Sequence, residues 1–191
     1  MIDIILASKS QYRKKMMEEA NIPFKVIVSD ADELGDLSQS FEEQLKQISK
    51  RKAAIVFVST IAEPERIIVA ADQNIVFEDK MYGKPETIDE ARELIKRMRG
   101  RDDIYAYTGN TLIHAKKGKI LHTINECDIS RMSMDNISDE DIEEYLQNYN
   151  PLTKCGGINI KEADFLHLVS GKMSTALGMT IEYLQNYLSK L

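Results

Sequence analysis

Residues 66–85, RIIVAADQNIVFEDKMYGKP, decide how the chain is read. Ile67, Ile68 and Val69 form a β-branched run free of charge, which suits a strand covered on both faces. Asp72 ends that run, Ile75, Val76 and Phe77 resume it, and Glu78, Asp79 and Lys80 make a polar turn before Gly83, Lys84 and Pro85. The pattern predicts strand, acidic corner, strand, turn, lysine. A carboxylate between two apolar runs is costly to bury unless it binds a cation or collects hydrogen bonds. Two readings of Asp72 follow, a turn cap and a catalytic or ligating carboxylate.

Upstream, residues 2–6 read as a short strand that Ala7, Ser8, Lys9 and Ser10 leave for a helix carrying Met16, Met17 and Ala20, with Ser10 as its N-cap. Lys9, Arg13 and Lys14 crowd the start of that helix, where the dipole favours negative charge. Hydroxyls, open backbone amides and cations together make an anion site; a solvated basic face is the alternative. Residues 23–28 read as a second strand, followed by an acidic loop centred on Asp32 and Glu33. In the next helix Ser40 and Glu43 form a capping box, and Phe41, Leu45, Ile48 and Ile55 mark an apolar stripe. Lys52 falls on that stripe, so it either snorkels outward along its stem or points an ammonium into a cleft.

Downstream, Thr87 and Glu90 open a packing helix whose apolar face is Ile88, Ala91, Leu94, Ile95 and Met98, and Gly100 closes it. Residues 104–114 and 120–134 read as two long strands joined by a Lys-Lys-Gly-Lys turn, with Thr108 and Gly109 interrupting the first. His114 and His122 near that turn read as exposed strand residues, since no third metal ligand is suitably spaced. Residues 138–149 form an amphipathic helix, Cys155, Gly156 and Gly157 a flexible corner, residues 165–169 a strand, and residues 180–191 a closing helix with Ile181, Leu184, Leu188 and Leu191 inward. No repeat or linker marks a boundary, so residues 1–191 are read as one domain.

Composition narrows the function classes. A net charge of −6 argues against a general nucleic-acid binder, whose affinity comes from neutralising many phosphates. No stretch approaches the roughly 18 unbroken apolar residues of a membrane span, and the opening MIDIILAS is too short and acidic for a secretory signal. Cys127 and Cys155 have neither zinc-site spacing nor the density of a disulfide framework, so a cytoplasmic protein is expected. No GxGxxG follows a strand, which disfavours a dinucleotide-dependent dehydrogenase. The acidic corner alone leaves a phosphomonoesterase open.

The fragments LASKSQYRKKMM, DE at Asp32 and Glu33, RKAA around Lys52, AADQNIV around Asp72, YGKP around Lys84, YTGNTLI from Tyr107 and KCGG from Lys154 stand in an order that resembles the Maf family of nucleoside triphosphate pyrophosphatases. The resemblance runs nearly end to end. It implies an elongated α/β fold, a mixed sheet flanked by helices and related to the inosine triphosphatase-like pyrophosphatases, with two lobes around a central cleft and often a homodimer. It also implies hydrolysis of the α–β phosphate bond of a small-molecule nucleotide to a nucleoside monophosphate and pyrophosphate, with a Mg or Mn cofactor. Asp72 matches the family's catalytic base and Glu33 its acidic partner for the metal; Ser8, Arg13, Lys52 and Lys84 match the residues around the triphosphate.

Within the family, specificity follows three positions, here Tyr12, Gln73 and Lys161. Those residues, the second cation Lys14 and the cysteine before the glycines resemble the subgroup acting on 7-methyl-GTP. The dTTP/UTP subgroup typically has Arg, Thr and Gln there, and remains the alternative. An aromatic platform at Tyr12 suits a cationic methylated purine, though packing against Met16 one turn along is the other use of that ring. Gln11, Thr175 and Thr180 depart from the family's usual proline, asparagine and proline. A regulator of septum formation acting by binding is the competing role, against which the joint presence of Glu33, Lys52, Asp72 and Lys84 speaks.

Overall fold

The computed structural model describes residues 2–191. Its elements run β1 (Asp3–Leu6), α1 (Gln11–Glu19), β2 (Lys25–Val26), α2 (Phe41–Ser59), β3 (Glu65–Phe77), β4 (Lys80–Tyr82), α3 (Ile88–Met98), β5 (Ile104–Lys116), β6 (Lys119–Met134), α4 (Asp139–Asn148), β7 (Leu166–Ser170), α5 (Met173–Ala176) and α6 (Glu182–Leu188). One mixed seven-stranded sheet has the order β2-β1-β3-β5-β6-β7, with β4 added to β3. β1 lies parallel to both β2 and β3, while β4 pairs antiparallel with β3 and β7 with β6. Helices complete an α/β architecture.

The decisive stretch forms one strand rather than two. β3 runs unbroken through Asp72, Gln73 and Asn74, so the expected acidic corner is absent and Asp72 projects from the middle of a ladder. The turn after it uses Glu78 and Asp79, both at positive φ (51° and 53°), as the tightest two-residue hairpins require. Likewise Thr108 and Gly109 do not interrupt β5. Gly109 is there for a different reason: a Cβ would stand 2.3 Å from the Leu45 carbonyl oxygen, so only glycine lets β5 approach α2 this closely.

The described residues gather into two compact units. The first comprises residues up to Asp72, Thr108–Asp128 and Gly178–Leu191; the second Gln73–Tyr107 and Ile129–Leu177. In the first, Ile5, Ile68, Ala70, Ile113 and Ala115 from the strands, and Ala7 just past β1, pack with Ala53 and Val56 of α2. Ser40 caps α2 as expected, accepting from the Glu43 amide. Its buried face includes Leu45, Ile48, Lys52, Ala53 and Val56, whereas Ile55 is exposed. His114 also corrects its expectation: it is buried between Glu65 (3.1 Å) and the Tyr187 hydroxyl (2.8 Å), while His122 is exposed and stacks on the Tyr187 ring. In α6 Leu184 is buried, but Leu191 lies outside the helix and is exposed.

The second unit is built on Ile75, Phe77, Leu94, Ile95, Met98, Met132, Ile142 and Tyr145. Thr87 caps α3, but Glu90 reaches back to the Glu86 amide rather than to that of Thr87, so the expected box is open; Ile88 is exposed. The closed capping box belongs to α4, between Ser138 and Asp141. The Cys155-Gly156-Gly157 corner is packed, not loose. Gly156 and Gly157 are buried at φ 66° and 76°, and a Cβ on Gly156 would meet Ile75 at 3.0 Å.

Candidate active site

In the first unit α2 and β3 bring a lysine to a carboxylate. The position of α2 is fixed at Gly109 and by a buried hydrogen bond between the Ser49 and Thr111 hydroxyls (2.9 Å). That seating aims Lys52, two turns beyond Leu45, at the centre of β3. Its Nζ donates to Asp72 Oδ1 at 2.5 Å and lies 2.8 Å from Glu33 Oε1. Lys52 and Asp72 are buried, 7% and 9% exposed, so the ammonium neither snorkels outward nor forms a surface pair. The turn-cap reading of Asp72 fails for the same reason.

Glu33 comes from the loop between β2 and α2 and is exposed. Asp32 shapes that loop by accepting from the Leu34 amide, and Arg51 of α2 donates to the Leu34 carbonyl. Two carboxylates from distant parts of the chain thus converge on one ammonium. Among the described residues no group of three or more His, Cys, Asp or Glu side chains could enclose a metal ion. A pair of carboxylates alone fits a hard divalent ion that keeps water and phosphate oxygens in its remaining positions.

The signature arginine is clamped. Ser10 caps α1, and Arg13 turns its guanidinium back: Nε donates to the Gly178 carbonyl (2.8 Å), and Nη1 to the Ala71 carbonyl (2.7 Å) and Ser8 Oγ (3.1 Å). It therefore grips the residue before Asp72. Two residues beyond Gly178, Thr180 exchanges hydrogen bonds with the Asn110 side chain. Tyr12 and Lys14 stand half-buried on the same first turns of α1, and Lys9 is exposed.

In the second unit, the Gln73 side-chain nitrogen donates to the carbonyls of Thr175 (2.8 Å) and Ala176 (3.0 Å). Its main-chain carbonyl accepts from Cys155 Sγ at 2.9 Å. Lys84 is exposed just after β4, beside Gly83, whose carbonyl accepts from the Gly156 amide. Lys161 is exposed, with its amide held by Asn159 Oδ1. Lys154 is buried, paired with Glu162 at 2.5 Å and lying over the rings of Tyr145 and Tyr149. The carbonyl clamps of Arg13 and Gln73 left no trace in the sequence, since any residue supplies a carbonyl.

A family profile described as "Maf-like protein" matches residues 3–191. A dTTP/UTP pyrophosphatase of Thermotoga maritima is 28% identical over 97% of this chain and 87% of its own. One from Bacillus cereus strain G9842 is 29% identical over 95% and 91%, and one from Bacillus cytotoxicus 30% over 95% and 91%. A nucleoside-triphosphatase (dITP/XTP pyrophosphatase) structure from Mycobacterium abscessus aligns over 99% of this chain and 94% of its own at 10% identity, with a TM-score of 0.38. With the profile covering the chain from Asp3 onward and relatives alike over nearly their whole length, the chain belongs to the Maf family.

Proposed function

We propose that the chain is a cytoplasmic nucleoside triphosphate pyrophosphatase, cleaving the α–β phosphate bond to give a nucleoside monophosphate and pyrophosphate. The observation that carries this is the convergence of Asp72 and Glu33 on the buried ammonium of Lys52 in a Maf-family chain. Lys52 holds one oxygen of Asp72 and so fixes the direction of the other, which takes the proton of the attacking water. Arg13, by gripping Ala71, keeps the strand that carries this base in register. Lys84, Lys14 and Lys9 are the cations for the phosphates, acting as mobile point charges. Glu33 and Asp72 would hold a Mg²⁺ or Mn²⁺ ion, which when bound neutralises phosphate charge and polarises the bond to be broken.

For the base, the relatives favour dTTP and UTP, the activity named for each of the three sequence relatives above. A second reading, 7-methyl-GTP, is favoured by one feature of this chain: Tyr12 rather than an arginine precedes Arg13, giving a ring suited to a cationic purine. One assay separates them. Pyrophosphate release from dTTP, UTP, GTP and 7-methyl-GTP is measured with Mn²⁺, with Mg²⁺ and in excess chelator. Pyrophosphate with a pyrimidine preference supports the first reading, and a 7-methyl-GTP preference the second. Orthophosphate as the product, or activity unchanged by chelator, would sink the mechanism.

A further inference from the structure

We infer that Arg51 and Gln44 of α2 are positioning residues that seat the loop carrying Glu33, and so set how tightly the divalent cation is held. This deepens the pyrophosphatase reading and rests on it. Residues 27–40, between β2 and α2, form no helix or strand. The leucines that would ordinarily anchor such a loop stand in water, Leu34 75% and Leu37 91% exposed. Polar ties to α2 take their place. The first is at Leu34, the residue after Glu33: its carbonyl accepts from Arg51 Nη2 at 2.5 Å, while its amide donates to Asp32 Oδ1 at 2.8 Å. The second is at Gln44, two turns before Arg51 on the same face of α2. Gln44 is 2% exposed, and its Nε2 donates to the Gln39 carbonyl at 3.0 Å. Its Oε1 lies against Gly35, where a Cβ would stand 2.3 Å away, so glycine is what lets the loop come this close to the helix.

Both ties lie just downstream of Glu33, whose carboxylate reaches Lys52, the neighbour of Arg51, at 2.8 Å. One helix thereby sets both acidic groups. Lys52 holds Asp72 directly, and Arg51 holds Glu33 through the Leu34 carbonyl. A loop held mainly by polar ties has an unseated state, and a ligand that needs the seated one binds more weakly in proportion to the seated fraction. Once bound, the cation itself keeps Glu33 in place. Cutting a tie therefore weakens the grip on the cation, whereas turnover with the cation saturating is retained, because Asp72 and Lys52 are untouched. By the same linkage the cation protects the loop. Gln44 offers a clean variant, since its Oε1 is buried and finds no donor among the described residues. Gln44→Met removes that stranded acceptor together with the tie to Gln39, so global stability need not fall with the tie.

The test uses the full chain with Arg51→Met, Arg51→Lys and Gln44→Met. Mn²⁺ is titrated calorimetrically without nucleotide, chymotrypsin cleavage after Leu34 and Leu37 is timed with and without Mn²⁺, and pyrophosphate release is assayed across Mn²⁺ concentrations. Arg51→Met and Gln44→Met are expected to raise the Mn²⁺ dissociation constant and the half-activating concentration together, by about fivefold to tenfold. Their kcat at saturating Mn²⁺ should stay within about twofold of the parent. Arg51→Lys keeps a charged donor and should hold the dissociation constant within about threefold of the parent. Cleavage at the two leucines should quicken about fivefold or more in both Met variants, and Mn²⁺ should slow it in the parent. Parental Mn²⁺ affinity in Arg51→Met, cleavage at the parental rate, or a kcat that falls while the dissociation constant holds would each overturn the proposal. So would a parent whose loop Mn²⁺ fails to protect. A parent that binds Mn²⁺ but releases no pyrophosphate fails the pyrophosphatase reading instead, and the binding and cleavage results then decide the seat by themselves.

Discussion

Lys52 Nζ and Asp72 Oδ1 stand 2.5 Å apart, a buried contact between a helix and the middle of a strand. Removing one partner of such a pair leaves an uncompensated charge out of water, a loss of about 3–5 kcal/mol in typical cases. Lys52→Met is therefore expected to lower the unfolding midpoint in urea markedly and kcat by about a hundredfold or more. With the ammonium gone, Asp72 and Glu33 face each other uncompensated. Added Mn²⁺ should then raise the melting temperature of Lys52→Met more than that of the parent, and an equal rise would count against a cation held by these carboxylates.

Asp72→Asn keeps the size of the side chain and its contact with Lys52 but cannot take a proton. Turnover should fall by about two to four orders of magnitude with little change in KM. Turnover within about threefold of the parent would make Asp72 a structural carboxylate.

Gly109→Ala places a Cβ against the backbone of Leu45, which cannot swing aside as a side-chain tip would. The expected cost is about 1–3 kcal/mol, read from urea unfolding. Because α2 also carries Lys52, kcat should fall alongside stability. Stability equal to the parent would mean the helix slides freely on the sheet.

Arg13→Lys preserves the charge but loses the planar fork that spans Gly178, Ala71 and Ser8. A drop of about tenfold to a hundredfold in kcat/KM is expected, with a stability loss of about 1–3 kcal/mol for the lost charged hydrogen bonds. Full activity in this variant would show that a point charge suffices and that the clamp is incidental.

Acid stability follows from the second unit. Arg97 holds the Glu78 carboxyl below its ordinary range, Arg101 does so for Asp103, Arg99 and Lys96 for Asp139, and Arg92 for Glu143. Each gives up its proton more readily folded than unfolded, so its contribution is complete above about pH 5 and is lost as pH falls below about 4. The melting temperature should be level from about pH 5 to 8 and fall below about pH 4, less steeply in Glu143→Gln. A decline starting near pH 6 would point to histidine instead.

The chemistry of this chain was more legible than its joints. Lys52 stood out as a charge on an apolar stripe and Asp72 as a carboxylate between apolar runs, and both are buried against each other. The continuity of β3 was hidden, because Asp72, Gln73 and Asn74 are three polar residues in a row and read as a corner until their partners are known. His114 was misread because what buries it, Tyr187, lies 73 residues on. The clamps on Ala71, Gly178, Thr175 and Ala176 could not be read at all, since they end on carbonyls that every residue has.

The parallel pairing of β1 with β3 also sets an order of events during folding. Asp3 finds its partner Arg66 only after about sixty intervening residues have been made, and loop closure of that kind must precede any gain from the contact. The Arg13 clamp waits longer still, because Gly178 lies 165 residues away. A nascent chain on the ribosome therefore carries Arg13 without its Gly178 partner long after β1 has met β2 and β3. Pyrophosphatase competence should arise in one late step, when Gly178 emerges and Arg13 closes on it, and chaperone demand should be greatest just before.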